Sequence, residues 1–95
     1  LPRFPAVTRD LALVCDESLT VGELERCISA AAGKLLRKIN LFDIYRGPGV
    51  AAGKKSVAFS LELRADYRTL TDEDSTGVVD KVLKALKEEK DVTLR

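Results

Sequence analysis

Leu41-Phe42-Asp43-Ile44-Tyr45-Arg46-Gly47 runs into a glycine-punctuated loop and emerges as Gly53-Lys54-Lys55-Ser56-Val57-Ala58-Phe59-Ser60-Leu61. The two stretches read as strand, loop and strand, with Gly47 to Gly53 as the connection. From Lys55 to Arg64 the alternation is unbroken. Val57, Phe59, Leu61 and Leu63 point one way, and Ser56, Ala58, Ser60, Glu62 and Arg64 the other. Asp43 and Tyr45 join the second set, so one face of the hairpin carries almost no large aliphatic side chain. Such a face is not half of a hydrophobic core. It reads as a surface kept free for a ligand, with one aromatic ring on it and Arg46, Lys54 and Lys55 at its rim.

The elements on either side complete the pattern. Leu11, Leu13 and Cys15 alternate with Asp10, Ala12 and Val14, which predicts a first strand after Pro5. Thr20 and Glu23 form a capping box, and an apolar stripe follows at helical spacing, so a helix is expected over 21–32, stopped by Gly33. The second strand is expected from Leu36 to Arg46. Its parity is broken: Phe42 and Ile44 suit the core face, while Ile39 and Leu41 fall on the other. A bulge near Asn40, or partial burial of the strand's outer end, would reconcile them. Thr71 opens a second helix, with Asp72, Glu73 and Asp74 set against the helix dipole and Val78, Val79, Val82, Leu83 and Leu86 as its buried stripe. Asp91 to Arg95 reads as a last strand, Val92 and Leu94 inward, Thr93 and Arg95 outward.

The order β-α-β-β-α-β predicts an α+β, ferredoxin-like sandwich. It is a four-stranded antiparallel sheet of order 4-1-3-2 with both helices on one face. A chain of 95 residues suits one domain over 1–95. With no Met at all, and Leu1-Pro2-Arg3 at its start, it reads as a fragment of a longer protein.

Composition narrows the function. There is no histidine, which removes the usual general base and the common zinc ligands. Cys15 and Cys27 read as small buried residues of a reducing compartment. No apolar run reaches membrane-spanning length. The net charge of +1 conceals a mild asymmetry: residues 1–64 carry ten Lys/Arg and seven Asp/Glu (+3), residues 65–95 six and eight (−2). That is far from the basic stripe of a non-specific nucleic-acid binder. The turn Asp16-Glu17-Ser18-Leu19 is doubly acidic and repels phosphate, which argues against an acylphosphatase-like hydrolase on the same topology. Three readings of the open face remain: a solvated surface, a protein-binding surface, and a platform for single-stranded RNA. In the last, bases stack on rings and are read at their edges while basic groups hold phosphates.

Four blocks carry a resemblance. Phe4-Pro5-Ala6-Val7-Thr8-Arg9-Asp10-Leu11-Ala12, Leu41 to Gly47, Gly53-Lys54-Lys55-Ser56 and Arg68-Thr69-Leu70-Thr71-Asp72-Glu73 together resemble the ferredoxin-fold anticodon-binding domain of bacterial phenylalanyl-tRNA synthetase, at the C-terminus of its β subunit. The resemblance implies recognition of the anticodon stem-loop of phenylalanine tRNA. By position, Tyr45 matches a residue that stacks on an anticodon base, and Asp43 and Ser56 match residues that bond base edges. Ala12 matches a small residue that gives a base room, and Arg95 a basic contact. Arg9, Arg46 and Lys54 match backbone or structural partners, and Arg9 has the alternative of pairing with an acidic neighbour to fix the start of the first strand. The resemblance further implies other domains of the parent β subunit and its α subunit as partners and no membrane; a cytoplasmic setting is expected, although the same domain type also closes the single-chain mitochondrial enzyme. It implies a catalytically silent fragment without cofactor, ATP and magnesium being needed only by the parent enzyme. A ferredoxin-like protein-interaction or regulatory domain without RNA binding is the alternative.

Overall fold

In the computed structural model, which describes residues 4–95, strand β1 (Val7–Asp16) leads into helix α1 (Val21–Ala32) and a single 3-10 turn, Gly33–Leu35. Strands β2 (Leu36–Tyr45) and β3 (Lys54–Leu63), helix α2 (Asp72–Lys90) and a two-residue strand β4 (Thr93–Leu94) follow. The sheet is antiparallel, with β2-β3-β1-β4 as its order. Read from the other edge this is the expected 4-1-3-2. Each helix starts where the sequence supplies a cap. The Thr20 hydroxyl accepts from the Glu23 N–H, and the Glu23 carboxylate accepts from the Thr20 N–H. Thr71 and Asp74 repeat the device at α2, with an aspartate in place of the usual glutamate.

Both helices lie on one face of the sheet and build a single core with it. Leu11, Leu13 and Cys15 of β1, and Val57, Phe59, Leu61 and Leu63 of β3, meet Leu24 and Ile28 of α1 and Val78, Val82 and Leu86 of α2. Phe59, Leu13, Leu24, Ile28, Leu61 and Leu63 are fully buried, each contributing on the order of 1.5–3 kcal/mol of transfer free energy. The two central strands hold the core, and the two edge strands contribute little to it.

The edge strands are where the structure departs from the sequence pattern. The β2–β3 register slips between Leu36 and Lys38 and again between Leu41 and Asp43, which leaves Arg37 and Phe42 as unpaired bulge residues. The parity break is therefore a bulge at Phe42, two residues beyond Asn40. Ile39 and Leu41 face Leu61 and Phe59 on the helix side, and Ile44 faces Val57. Phe42, expected in the core, is 58% exposed, because the bulge takes it out of the register that seats Leu41 and Ile44 toward the helices. Leu94, expected inward, is 54% exposed; it pairs with Leu13 from the short edge strand at the opposite margin of the sheet. Lys55, expected at the rim, instead faces Cys15 on the helix side and is buried.

The β3–α2 connection is locked by charge. Arg68 makes a bidentate contact with Asp74, whose carboxylate also accepts from the Thr71 N–H. These bonds to the ionised form hold the Asp74 carboxyl well below the usual carboxylate range, the Arg68 bond first and the Thr71 N–H second. A folded pKa below the unfolded one means stability that is complete above about pH 4 and is lost as pH falls further. Asp74→Asn should therefore be less stable than the wild type at pH 7. The gap should narrow steadily below about pH 4, as urea denaturation at a series of pH values would show; a gap independent of pH would refute this account.

Candidate nucleic-acid interface

The face away from the helices is ordered in rows by the register. Tyr45 faces Ser56, Ser56 faces Val14, and Val14 faces Thr93. In the next row Asp43 faces Ala58, and Ala58 faces Ala12; in the third, Asn40 faces Ser60, and Ser60 faces Asp10. The middle row has only methyl side chains on β1 and β3, so it forms a trough between Tyr45 on one side and the polar Asn40–Ser60–Asp10 row on the other. Asp43 stands exposed at the trough's β2 end. A flat ring fits such a floor, and its edge would find acceptors and donors at both walls.

Asn40 is the residue that the sequence pattern missed. Counting back from Asp43 by twos puts Leu41 on this face. The bulge at Phe42 removes Leu41 to the helix side and brings Asn40 in its place. The signal that it left is the Leu41-Phe42 doublet, two large apolar residues side by side where alternation would place one.

Tyr45 is held at three points. Its hydroxyl donates to the Pro48 carbonyl at 2.8 Å. Gly47, at φ 140°, passes so close that a Cβ there would lie 3.2 Å from the same hydroxyl. The Arg95 guanidinium covers the ring, 4.7 Å from its centroid. The structure thus brings Ala12, Asp43, Tyr45, Ser56 and Arg95 together on one face of the sheet.

The other three cations sit elsewhere. Arg46 makes a bidentate bond to Glu17, and Lys54 donates to Asp16 at 2.8 Å. These pairs tie the β2–β3 hairpin to the β1–α1 turn, aided by the Glu17 N–H donating to the Gly53 carbonyl at 2.9 Å. Hydrogen bonding to Arg46 pulls the Glu17 carboxyl down and raises Arg46; the Asp16 bond raises Lys54. Arg9 lies on the helix side, donating to Ser75 Oγ at 2.8 Å, while Ser75 donates to the Asp72 carbonyl. It pins the first strand to the start of α2 through a hydroxyl rather than an acidic neighbour. Among the described residues no group of His, Cys, Asp and Glu has the arrangement of a metal site, and no helix is long and apolar enough to cross a membrane.

The profile of the family described as "Ferredoxin-fold anticodon binding domain" matches residues 2–95. The chain belongs to that family. It is 48% identical over 95 residues to the phenylalanine–tRNA ligase β subunit of Bacillus subtilis (strain 168), covering 100% of this chain and 12% of that protein. Over 87 residues it is 52% identical to the corresponding subunit of Symbiobacterium thermophilum, covering 92% of this chain and 10% of that protein. The chain thus spans about an eighth of the length of the curated relatives it matches. Within the anticodon-binding family, the tethered Tyr45 supports the loop beside the site. Tyr45→Phe should release the 46–53 loop: hydrogen exchange at the Val50 amide, bonded to the Gly47 carbonyl, should quicken while core amides of β3 keep their protection. Unchanged exchange at Val50 would show that the hydroxyl does not hold the loop.

Proposed function

We propose that this chain is the anticodon-binding domain of a phenylalanine–tRNA ligase β subunit and that its open sheet face reads the anticodon loop of phenylalanine tRNA. The trough of Ala12 and Ala58 between Tyr45 and the Asn40–Ser60–Asp10 row carries the reading. It admits an unpaired base, offers Asp43 and Ser56 to the base edge, and uses Tyr45 for stacking. The domain is one part of a longer chain. Aminoacylation, with its ATP and magnesium, belongs to other parts of the ligase, and the cytoplasm is its compartment. Because Arg46 and Lys54 are already paired with carboxylates, contacts of shape and stacking supply much of the selectivity.

Fluorescence anisotropy of a labelled anticodon stem-loop tests this. The phenylalanine loop should bind more tightly than a loop with an altered anticodon at the same salt. Tyr45→Ala should weaken it by about tenfold to a hundredfold, the equivalent of roughly 1–3 kcal/mol of stacking. Equal affinity for both loops would rule out anticodon reading by this face.

Leu41 and Ile44 on the helix side of β2, with the exposed bulge residue Phe42 between them in sequence, favour a second, separate contact. Three large apolar residues exposed together on an edge strand suit packing against another domain of the β subunit or against the α subunit. Phe42→Ser should leave stem-loop affinity of the isolated domain unchanged and weaken its association with the remainder of the ligase. A loss of stem-loop affinity instead would place the patch in the RNA interface.

A further inference from the structure

Tyr45 and Arg95 come from opposite margins of the sheet. Tyr45 ends β2 and Arg95 follows β4, so β3 and β1 lie between them. At that level those strands present Ser56 and Val14. The guanidinium nevertheless reaches the tyrosine ring, so the two side chains together bridge the sheet above Ser56. Ser56, which faces Tyr45 in the register, is only 3% exposed, although no helix covers its face. The Arg95 N–H donates to the Ala12 carbonyl at 2.9 Å and anchors the bridge, and its Nη2 comes 3.8 Å from where a Cβ on Gly49 would sit. Among the described residues, no carboxylate pairs with Arg95. A lone, exposed cation–π contact is a weak hold.

A base that stacks on the accessible face of Tyr45 and bonds Ser56 cannot do so while this bridge is in place. We propose that Arg95 is a displaceable cover: an unpaired nucleobase takes its place on the Tyr45 ring, and the released guanidinium binds a phosphate of the same RNA loop. The exchange conserves the ring's partner, since a π-face replaces a cation. It gives Arg95 the anionic partner that the free domain lacks, through charge-assisted and bidentate bonds. It also makes Ser56 reachable only after the cover has moved, so a ligand unable to compete for the ring is denied the edge contact. This inference rests on the anticodon reading above.

The test uses the 95-residue chain and the phenylalanine anticodon stem-loop, followed by NMR at the Arg95 side chain and the Ser56 amide. Without RNA, the Arg95 side-chain protons should be shifted upfield by the ring current, and Tyr45→Leu should abolish that shift. At saturating RNA the shift should vanish as the Ser56 amide moves. Arg95→Ala should lower the salt dependence of binding by about one phosphate contact. In a Tyr67→Phe background Tyr45 is the sole tyrosine of a chain without tryptophan, and Arg95→Ala should then raise its quenching by acrylamide. If Ser56 moves at saturation while Arg95 keeps its ring-current shift, the base does not replace the cation, and the cover fails while anticodon binding stands. If Ser56 moves in neither the wild type nor Arg95→Ala, the cover and the anticodon reading fail together.

Discussion

The bulge at Phe42 is the constraint on which the functional face depends. A strand of ten residues with strict alternation could not place Ile39, Leu41 and Ile44 on the helix side while Asp43 and Tyr45 stand on the other. One unpaired residue resolves the conflict by resetting the parity halfway along. The first half of β2 then lends Ile39 to the margin of the core. The second half lends its polar and aromatic side chains to the trough. The cost falls on Phe42, which no element covers.

Charge is distributed to the same end. The acidic turn between β1 and α1 binds the cations that would otherwise crowd the hairpin tip, fixing that tip to the body of the domain. Exposed pairs of this kind contribute little to stability. Their effect is positional: they hold the loop whose Pro48 carbonyl receives the Tyr45 hydroxyl. The side chain that remains uncommitted to any carboxylate beside the site is Arg95. On the proposed anticodon reading, a net charge of only +1 makes long-range attraction of RNA slight, and selectivity has to come from groups in contact.

Much of this was legible in the chain. The order of elements, both helix starts and the strand order follow from alternation, a 3.6-residue stripe and Thr-initiated caps, which are all local signals. The central strands could be read almost residue by residue, because burial on one face and a short polar set on the other leave one register. What stayed hidden depends on contacts between distant residues. The position of the bulge is set by how β2 seats on β3, and Leu41 and Phe42 are equally apolar, so composition cannot say which is displaced. Arg9 reaches Ser75 across 66 positions, and the Tyr45 ring meets the guanidinium of Arg95 from the far end of the chain. Lys55 follows a loop and looks like a solubilising residue, yet its register opposite Cys15 turns it inward.

The interruptions in β2 also bear on how the molecule behaves when crowded. A sheet margin with a free row of N–H and C=O groups is a template for a neighbour's strand, and one bearing Leu41, Phe42 and Ile44 is a sticky one. Here the regular ladder is broken at Arg37 and again at Phe42, so no uninterrupted stretch of the margin exceeds four residues. The opposite margin, β4, is two residues long. On that side β1 has no β4 partner from Val7 to Leu11 among the described residues, so it is the β2 side whose ladder is cut short. The bulge that shapes the trough thus also interrupts the β2 margin as a template for strand addition, leaving side-chain packing as the mode of association open to that apolar margin.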